Sequence, residues 1–573
     1  MAYPHFHRTV RGPRPGPRTP PRRLQGTSMT KTAAKAAPTS NGKKPSLVLV
    51  FTALVLAMLL SALNQTILGT ALPTIVGELN GANLMLWVIT AFILASTVMM
   101  PIYGKLGDLI GRKYLLVAAI IIFLAGSVVG ALSPDMTWLI IARVIQGIGA
   151  GGLMILSQAI IADVVPARER GKYMGWMGGV FAFSSVVGPL IGGWLTEGPG
   201  WRWAFWFNIP VGVLALLGAL FFLKPRAVTS RPRIDLWGMV FIALATTGLV
   251  LVSSWGGSTY EWTDPVILGL VAGTIVSAVV FVMVERRTAE PIIPMELFRD
   301  RNFNLSTASG LLTSVAMFGA IGYLPTYLQM ATGASATEAG MLMIPMMGAL
   351  LFSSVLSGSL VSKTGRYKWM PIAGSAIMIL ALLLMGSITA DSPVWQLCVY
   401  IAVLGLGLGL NMQILVLVVQ NSFPMRQVGT ATAANNYFRQ IGATLGSAVV
   451  GSLFAHRLSD LLGERLPASA ASATGGGNSL TPKLVHELPE AIQDIIIRSY
   501  NEALIPLFLF MVPMAVVATI LCLFIKEKPL ATRLEPEVMP EAIGEGNVLI
   551  SAEDEGNGPS TTELRQVSAS TPR

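Results

Sequence analysis

The strongest constraint on this chain is a repeated pattern between residues 47 and 525: uncharged apolar runs separated by short polar linkers. Each run is about 20 residues or longer, enough to cross ~30 Å of hydrocarbon as a helix rising ~1.5 Å per residue. The pattern predicts an all-α polytopic membrane protein. Fourteen spans are expected, at 47–72, 85–104, 114–133, 138–161, 173–195, 203–223, 236–254, 265–284, 304–330, 338–361, 370–389, 394–420, 428–454 and 502–525.

Charge in the linkers orients these spans. Lys105, Arg112 and Lys113 follow the second, Arg168, Arg170 and Lys172 the fourth, and Lys224, Arg226, Arg231 and Arg233 the sixth. Arg286, Arg287, Arg299 and Arg301 follow the eighth, Lys363, Arg366 and Lys368 the tenth, and Lys526 and Lys528 the last. The alternate short linkers carry almost no Lys or Arg, Arg202 excepted. Basic residues stay on the cytoplasmic side, so both termini are expected there, in a multi-pass protein of the plasma or inner membrane.

Composition closes other routes. At 53% hydrophobic and 12% charged residues, the chain holds more apolar surface than a soluble protein could hide from water. The net charge of +10 is spent in topogenic clusters, which speaks against nucleic-acid binding. Cys398 and Cys522 both fall inside apolar runs, so neither a disulfide framework nor a thiolate metal site is expected. No nucleophile–base grouping, metal-ligand cluster or nucleotide motif suggests an enzyme or a cofactor. The "QGIGAGG" stretch lies within an apolar helix, lacks the Lys-Ser/Thr ending of a phosphate loop and suits close helix packing.

Residues 1–45 and 531–573 read as disordered cytoplasmic tails, and Met29 offers an alternative start. A long external loop is expected over about 455–501, with a Gly-rich stretch at 475–477 and a short amphipathic helix in "LPEAIQDIIIRSY".

"GKLGDLIGRKYLL" from Gly104 and "GSLVSKTGRYKWM" from Gly358 repeat one pattern at a separation of 254 residues, which also relates Arg112 to Arg366. Two six-helix bundles in parallel orientation, residues 46–226 and 303–530, account for this repeat, with two additional helices in 227–302.

Five segments in order carry a family resemblance: "LNQTILGTALPTI", "GKLGDLIGRK", "ARVIQGIGAGG", "GPLIGGW" and "WRWAFWFNIPVG". Together they resemble the fourteen-span drug:proton antiporters of the major facilitator superfamily, the EmrB/QacA type. The resemblance implies alternating access, export of amphipathic small molecules, protons as counter-ion and a bilayer-embedded chain for which a monomer suffices. It also implies a cytoplasmic gate built from Gly104, Gly107, Asp108, Gly111, Arg112 and Lys113, with Gly365 and Arg366 in the second copy. The antiporter helix motif would comprise Gly188, Pro189, Gly192 and Gly193, where small residues allow close packing and Pro permits bending. Asn208 suits a helix cap or an interhelical hydrogen bond.

One departure stands out. Relatives of this type place a carboxylate where this chain has Asn64, and an amide cannot titrate. The interiors of the expected spans hold only two charged residues, Arg143 and Arg439, and no Asp, Glu, Lys or His. Asn64 and Arg143 lie ~13 and ~9 Å along their helices from the same face at ~1.5 Å per residue. Asn64, Gln65, Arg143 and Gln146 are therefore expected to form one polar cluster of a substrate or coupling cavity. Asn411, Gln413, Asn435, Arg439 and Gln440 would supply the rest. With Asn64 unable to carry a proton, Asp108, Asp163, Glu78 or Glu338, the substrate's own protonation, or uncoupled transport remain as alternatives. A dedicated exporter of one endogenous metabolite, such as a lipid, antibiotic or siderophore, and a ligand-sensing membrane protein also stay open.

Overall fold

The structure, a computed structural model, describes residues 47–79, 81, 84–225, 234–257, 259–334, 336–466, 485 and 488–532. The expected tail 1–45, nearly all of 531–573 and the Gly-rich stretch 475–477 lie outside the described residues.

The described chain is helical throughout, apart from short connections. In order come α1 (Leu47–Glu78), α2 (Met85–Ile110), α3 (Arg112–Ala131), α4 (Met136–Val164), α5 (Ala167–Glu197), α6 (Trp203–Trp206) and α7 (Asn208–Phe222). A hairpin of α8 (Leu236–Trp255) and α9 (Pro265–Glu285) follows. Then come α10 (Arg301–Ile321), α11 (Leu324–Thr332), α12 (Ala336–Leu342), α13 (Ile344–Thr364), α14 (Trp369–Met385), α15 (Val394–Gln420), α16 (Val428–Arg465) and α17 (Glu490–Leu523). Among the described residues, 12 helical stretches are long and apolar enough to cross a membrane. The apolar α14 is shorter than these, and α16 lies outside that group.

Local chemistry sets the ends. Asp135, Asp235, Asp264 and Asp300 cap α4, α8, α9 and α10 by accepting from the first free backbone N–H groups. Gly111 and Gly365, the repeat glycines, turn the chain at φ +97° and +74°, a region open to glycine at little cost.

Three expected spans are interrupted. The helix breaks at Phe207, at residues 322–323 and at Met343, each shortly before Pro210, Pro325 or Pro345. A ring nitrogen cannot bond the carbonyl one turn back, so the helix opens there.

The described residues of the expected outer loop are largely helix instead. α16 runs on to Arg465 because Phe454, Leu458 and Leu462 recur every four residues and are buried. The amphipathic segment at 490–501 is not a separate helix; it is the first part of α17. Arg465 closes this outer pair with a forked ion pair to Glu502, at 3.0 and 2.6 Å.

α1–α7 and α10–α17 form two bundles with their own cores, one around Leu54, Phe123 and Leu153, the other around Leu382, Leu404 and Phe508. They interlock through the second and fifth long helices of each half: α2 packs on α16, and α5 on α13. α8 lies beside α2 and α16, where the Thr246 and Tyr437 hydroxyls meet at 2.8 Å. α9 buries little beyond Ile267 and Glu285 and presents Leu268, Ile275, Val276 and Met283 outward, as a lipid-facing helix does.

Candidate functional site

The two halves are locked at the basic end of the bundle. Arg112, 4% exposed, donates to Asp108 and to Asp163, each at 2.6 Å, and to the Ala159 carbonyl at 2.6 Å. Its fourth contact crosses to the other half, at the Met425 carbonyl 3.3 Å away. Asp108 crosses too, accepting the Thr430 backbone N–H and hydroxyl at 2.7 and 2.8 Å. A carboxylate at the start of α16 also meets the positive end of the helix dipole.

A seam of small residues runs beside this latch. A Cβ on Gly104 would stand 2.2 Å from Ala433, and one on Gly358 would stand 2.1 Å from the Gly171 carbonyl. The two repeat glycines therefore serve as contact points on opposite sides of the interface. Arg168 adds donations to the Ser362 and Lys363 carbonyls at 3.1 and 3.0 Å. The charged latch itself is not duplicated: Arg366 is exposed, and Lys105 and Lys113 turn to Glu290 and to the Leu220 carbonyl.

One turn deeper lies an uncharged layer. Asn436 donates to Gln158 Oε1 at 2.9 Å, and Gln420 donates to the Gln158 carbonyl and the Thr432 hydroxyl. Among the described residues, the side-chain hydrogen bonds seen to cross between the halves belong to this end. Farther out along α1, Gln65, Gly69, Pro73 and Gly77 recur every four residues and are exposed. A polar and small stripe of that kind suits a wet hollow better than lipid.

Asn64 is fully buried in a closed network rather than lining that hollow. Its Oδ1 accepts from Asn208 Nδ2 at 2.9 Å and from Gln146 Nε2 at 3.3 Å. Gln146 also donates to the Ser127 hydroxyl at 2.8 Å and accepts from Arg143 Nη1 at 2.8 Å. Arg143 completes its set with the Val88 carbonyl at 3.1 Å and the face of Phe92 at 4.0 Å. So α1, α3, α4 and α7 are pinned together by one network, and Arg143 has no vacant role in it. Gln65, expected in the same cluster, faces the other way and is exposed. Ser127 and Asn208 were not expected in it, although a lone amide or hydroxyl in an apolar run was the available signal.

The other half carries a comparable tie. Asn411 on α15 donates to Ser375 on α14 at 2.8 Å and to Thr313 on α10 at 3.3 Å. Asn435 turns to Thr307 on α10 at 3.1 Å. These two asparagines make their hydrogen bonds within their own half. Gln413 instead reaches the interface, within 3.0 Å of a Cβ placed on Gly178 of α5. Among the described residues Arg439 makes no hydrogen bond, and its Nη1 is sealed from solvent. Gln440 stays partly exposed.

The "GPLIGGW" stretch divides in two. Gly188 and Gly192 press on α1, where a Cβ would come 1.9 Å from Thr66 Oγ1 and 2.8 Å from the Ile67 carbonyl. Thr66 also donates to the Ser184 carbonyl at 3.0 Å. Gly193 has open space around it, and α5 continues unbroken through Pro189.

The family profile described as Major Facilitator Superfamily matches residues 54–447. The chain belongs to this superfamily. An uncharacterized MFS-type transporter of Mycobacterium tuberculosis is 42% identical over 482 residues, covering 84% of this chain and 70% of that protein. The multidrug transporter protein MdtP of Bacillus subtilis is 37% identical over 75% of this chain and 81% of its own. Multidrug resistance protein 3 of the same organism is 32% identical over 87% and 98%. Among solved structures, the human organic anion transporter MFSD10 aligns with a TM-score of 0.57 at 15% identity, over 83% of this chain and 100% of that one. A bacterial homologue of the lysosomal transporter Spinster aligns at 0.53 and 19% identity, over 84% and 98%. These last two share the fold. As a member of the superfamily, the chain is a multi-pass membrane transporter of small molecules.

Proposed function

We propose that this transporter exports amphipathic drugs or other hydrophobic small molecules across the cell membrane in exchange for protons, by rocking its two halves around a central cavity. α8 and α9 add two spans to a total of fourteen, and both termini are cytoplasmic. On that orientation the latched end faces the cytoplasm and the hollow opens outward. The observation that carries this reading is the one-sided lock: Asp108, Arg112 and Thr430 fasten the halves at one end, beside paired glycine contacts. The names of the Bacillus subtilis relatives support a multidrug role.

Asn64 sits where the resemblance expects the proton carrier, and its amide is locked by Asn208 and Gln146. Coupling then falls to Asp108 and Asp163, whose protonation would release Arg112 and open the inner face. The test is extrusion from everted vesicles with and without an imposed pH gradient. Export that collapses with the gradient, and an Asp163→Asn variant that no longer responds to it, is the expected result. Gradient-independent export by the unaltered protein would leave a facilitator or a dedicated metabolite exporter in place of the antiporter.

A further inference from the structure

We propose that Arg439 is the anchoring cation of the substrate site and that the preferred substrate is an acidic amphiphile, an oxyanion on an apolar body. This rests on the export reading and adds the substrate class.

The two arginines of the apolar core differ in kind. Arg143 is satisfied by a carbonyl, an amide and an aromatic face. Among the described residues Arg439 finds neither a hydrogen bond nor an ion pair, although its Nη1 is buried. The residue is half-buried, and a guanidinium whose Nη1 is taken from water without a partner costs stability, so stability does not explain it.

Its position does. Asn436, three residues earlier on α16, touches Gln158 of the other half. Residues three apart share a helix face, so Arg439 stands ~4.5 Å farther out, above the uncharged layer that closes the inner end. Gln158 Nε2 is also buried without a partner. Two unmet donors, one from each half, thus stand close to the layer where the halves meet. A carboxylate or sulfonate takes such donors together, and a guanidinium binds it with charge-assisted hydrogen bonds. The acids of α4, α10, α15 and α16 stand far from Arg439 along the chain: Asp163 is at the inner end of α4, and Asp460 and Glu464 follow Arg439 on α16 by roughly six turns, or about 30 Å, at ~1.5 Å per residue. A cationic substrate would meet an unscreened like charge.

The test uses two dyes with one ring system: anilinonaphthalene sulfonate, which is anionic, and uncharged phenylnaphthylamine. Binding to the purified full chain is read by fluorescence, and movement by efflux from proteoliposomes. The sulfonate should bind at least tenfold more tightly than its uncharged match. Arg439→Gln should weaken sulfonate binding by roughly 10- to 100-fold, the loss of a charge-assisted contact, and narrow the ratio between the dyes. Arg439→Lys should restore part of that ratio, and Gln158→Glu, which supplies a competing carboxylate, should lower it. Equal binding of both dyes by the unaltered protein, or a ratio untouched by Arg439→Gln in monodisperse protein, overturns the proposal. Selective binding with no movement under any gradient would instead remove the export reading and leave the anion site standing.

Discussion

The Asp108 carboxylate on α2 accepts both the backbone N–H and the hydroxyl of Thr430, on α16, at 2.7 and 2.8 Å. A single side chain therefore fastens one half of the molecule to the other. It holds Arg112 at the same time, at 2.6 Å, so the latch and its charge partner form one unit. A Cβ on Gly429 would stand 2.4 Å from Asp108 Oδ1, so a larger residue there could not admit the carboxylate without displacement.

Asp108→Asn keeps the side-chain shape but removes one charge from beside a buried guanidinium. Breaking such a pair costs ~3–5 kcal/mol where it is fully buried. The latched state should lose population. Spin labels on cysteines replacing the exposed Tyr114 and Arg366, in a background free of Cys398 and Cys522, should report longer distances. An unchanged distance distribution would show that Asp108 does not hold the inner face shut.

Asn64→Leu removes the acceptor shared by Asn208 and Gln146, leaving buried donors unpaired. Each unmet group costs ~1–3 kcal/mol, so thermal stability should fall clearly. Asn64→Asp introduces a titratable group beside Gln146 and Arg143. Export by that variant should depend on pH more steeply than export by the unaltered chain, since its carboxylate draws Arg143 only when ionised. Superimposable pH profiles would mean that this position plays no part in coupling.

Gly358→Ala places a methyl group 2.1 Å from the Gly171 carbonyl, against backbone that cannot swing aside. The seam between α13 and α5 must open, and transport should drop about tenfold or more while the protein still folds. Gly348→Ala, on the same helix with open space around it, is the control and should behave normally. Equal activity in the two variants would show that the seam tolerates separation.

Within "GPLIGGW", Gly188→Val and Gly192→Val should both abolish export, because each drives a branched side chain into α1. Gly193→Val should retain most activity, having nothing within 4 Å. Loss at all three positions alike would point to a role in bending rather than in packing, and the transport rates of the three variants decide between them.

Much of the fold was legible before any coordinates. The apolar runs, the alternation of basic linkers and the 254-residue repeat follow from one-dimensional order, because hydrocarbon thickness and charge placement act on every segment separately. Breaks before Pro210, Pro325 and Pro345 were harder to read, since Pro73, Pro101 and Pro189 lie inside unbroken helices. Neighbouring helices decide which prolines the helix absorbs. The extension of α16 was missed because its polar outward face masked the buried repeat of Phe454, Leu458 and Leu462.

The site divides along the same line. Sequence alone determined that Asn64 cannot carry a proton, that Arg143 and Arg439 lie in apolar helices, and that glycines recur at matched positions in the two halves. Those are properties of residue type and spacing. Only the tertiary structure decided that Arg143 is satisfied and Arg439 is not, that Gln65 faces away from Asn64, and that Asp108 reaches Thr430. A hydrogen bond forms between side chains brought within about 3 Å, and helices more than 300 residues apart along the chain meet through packing that no local pattern records.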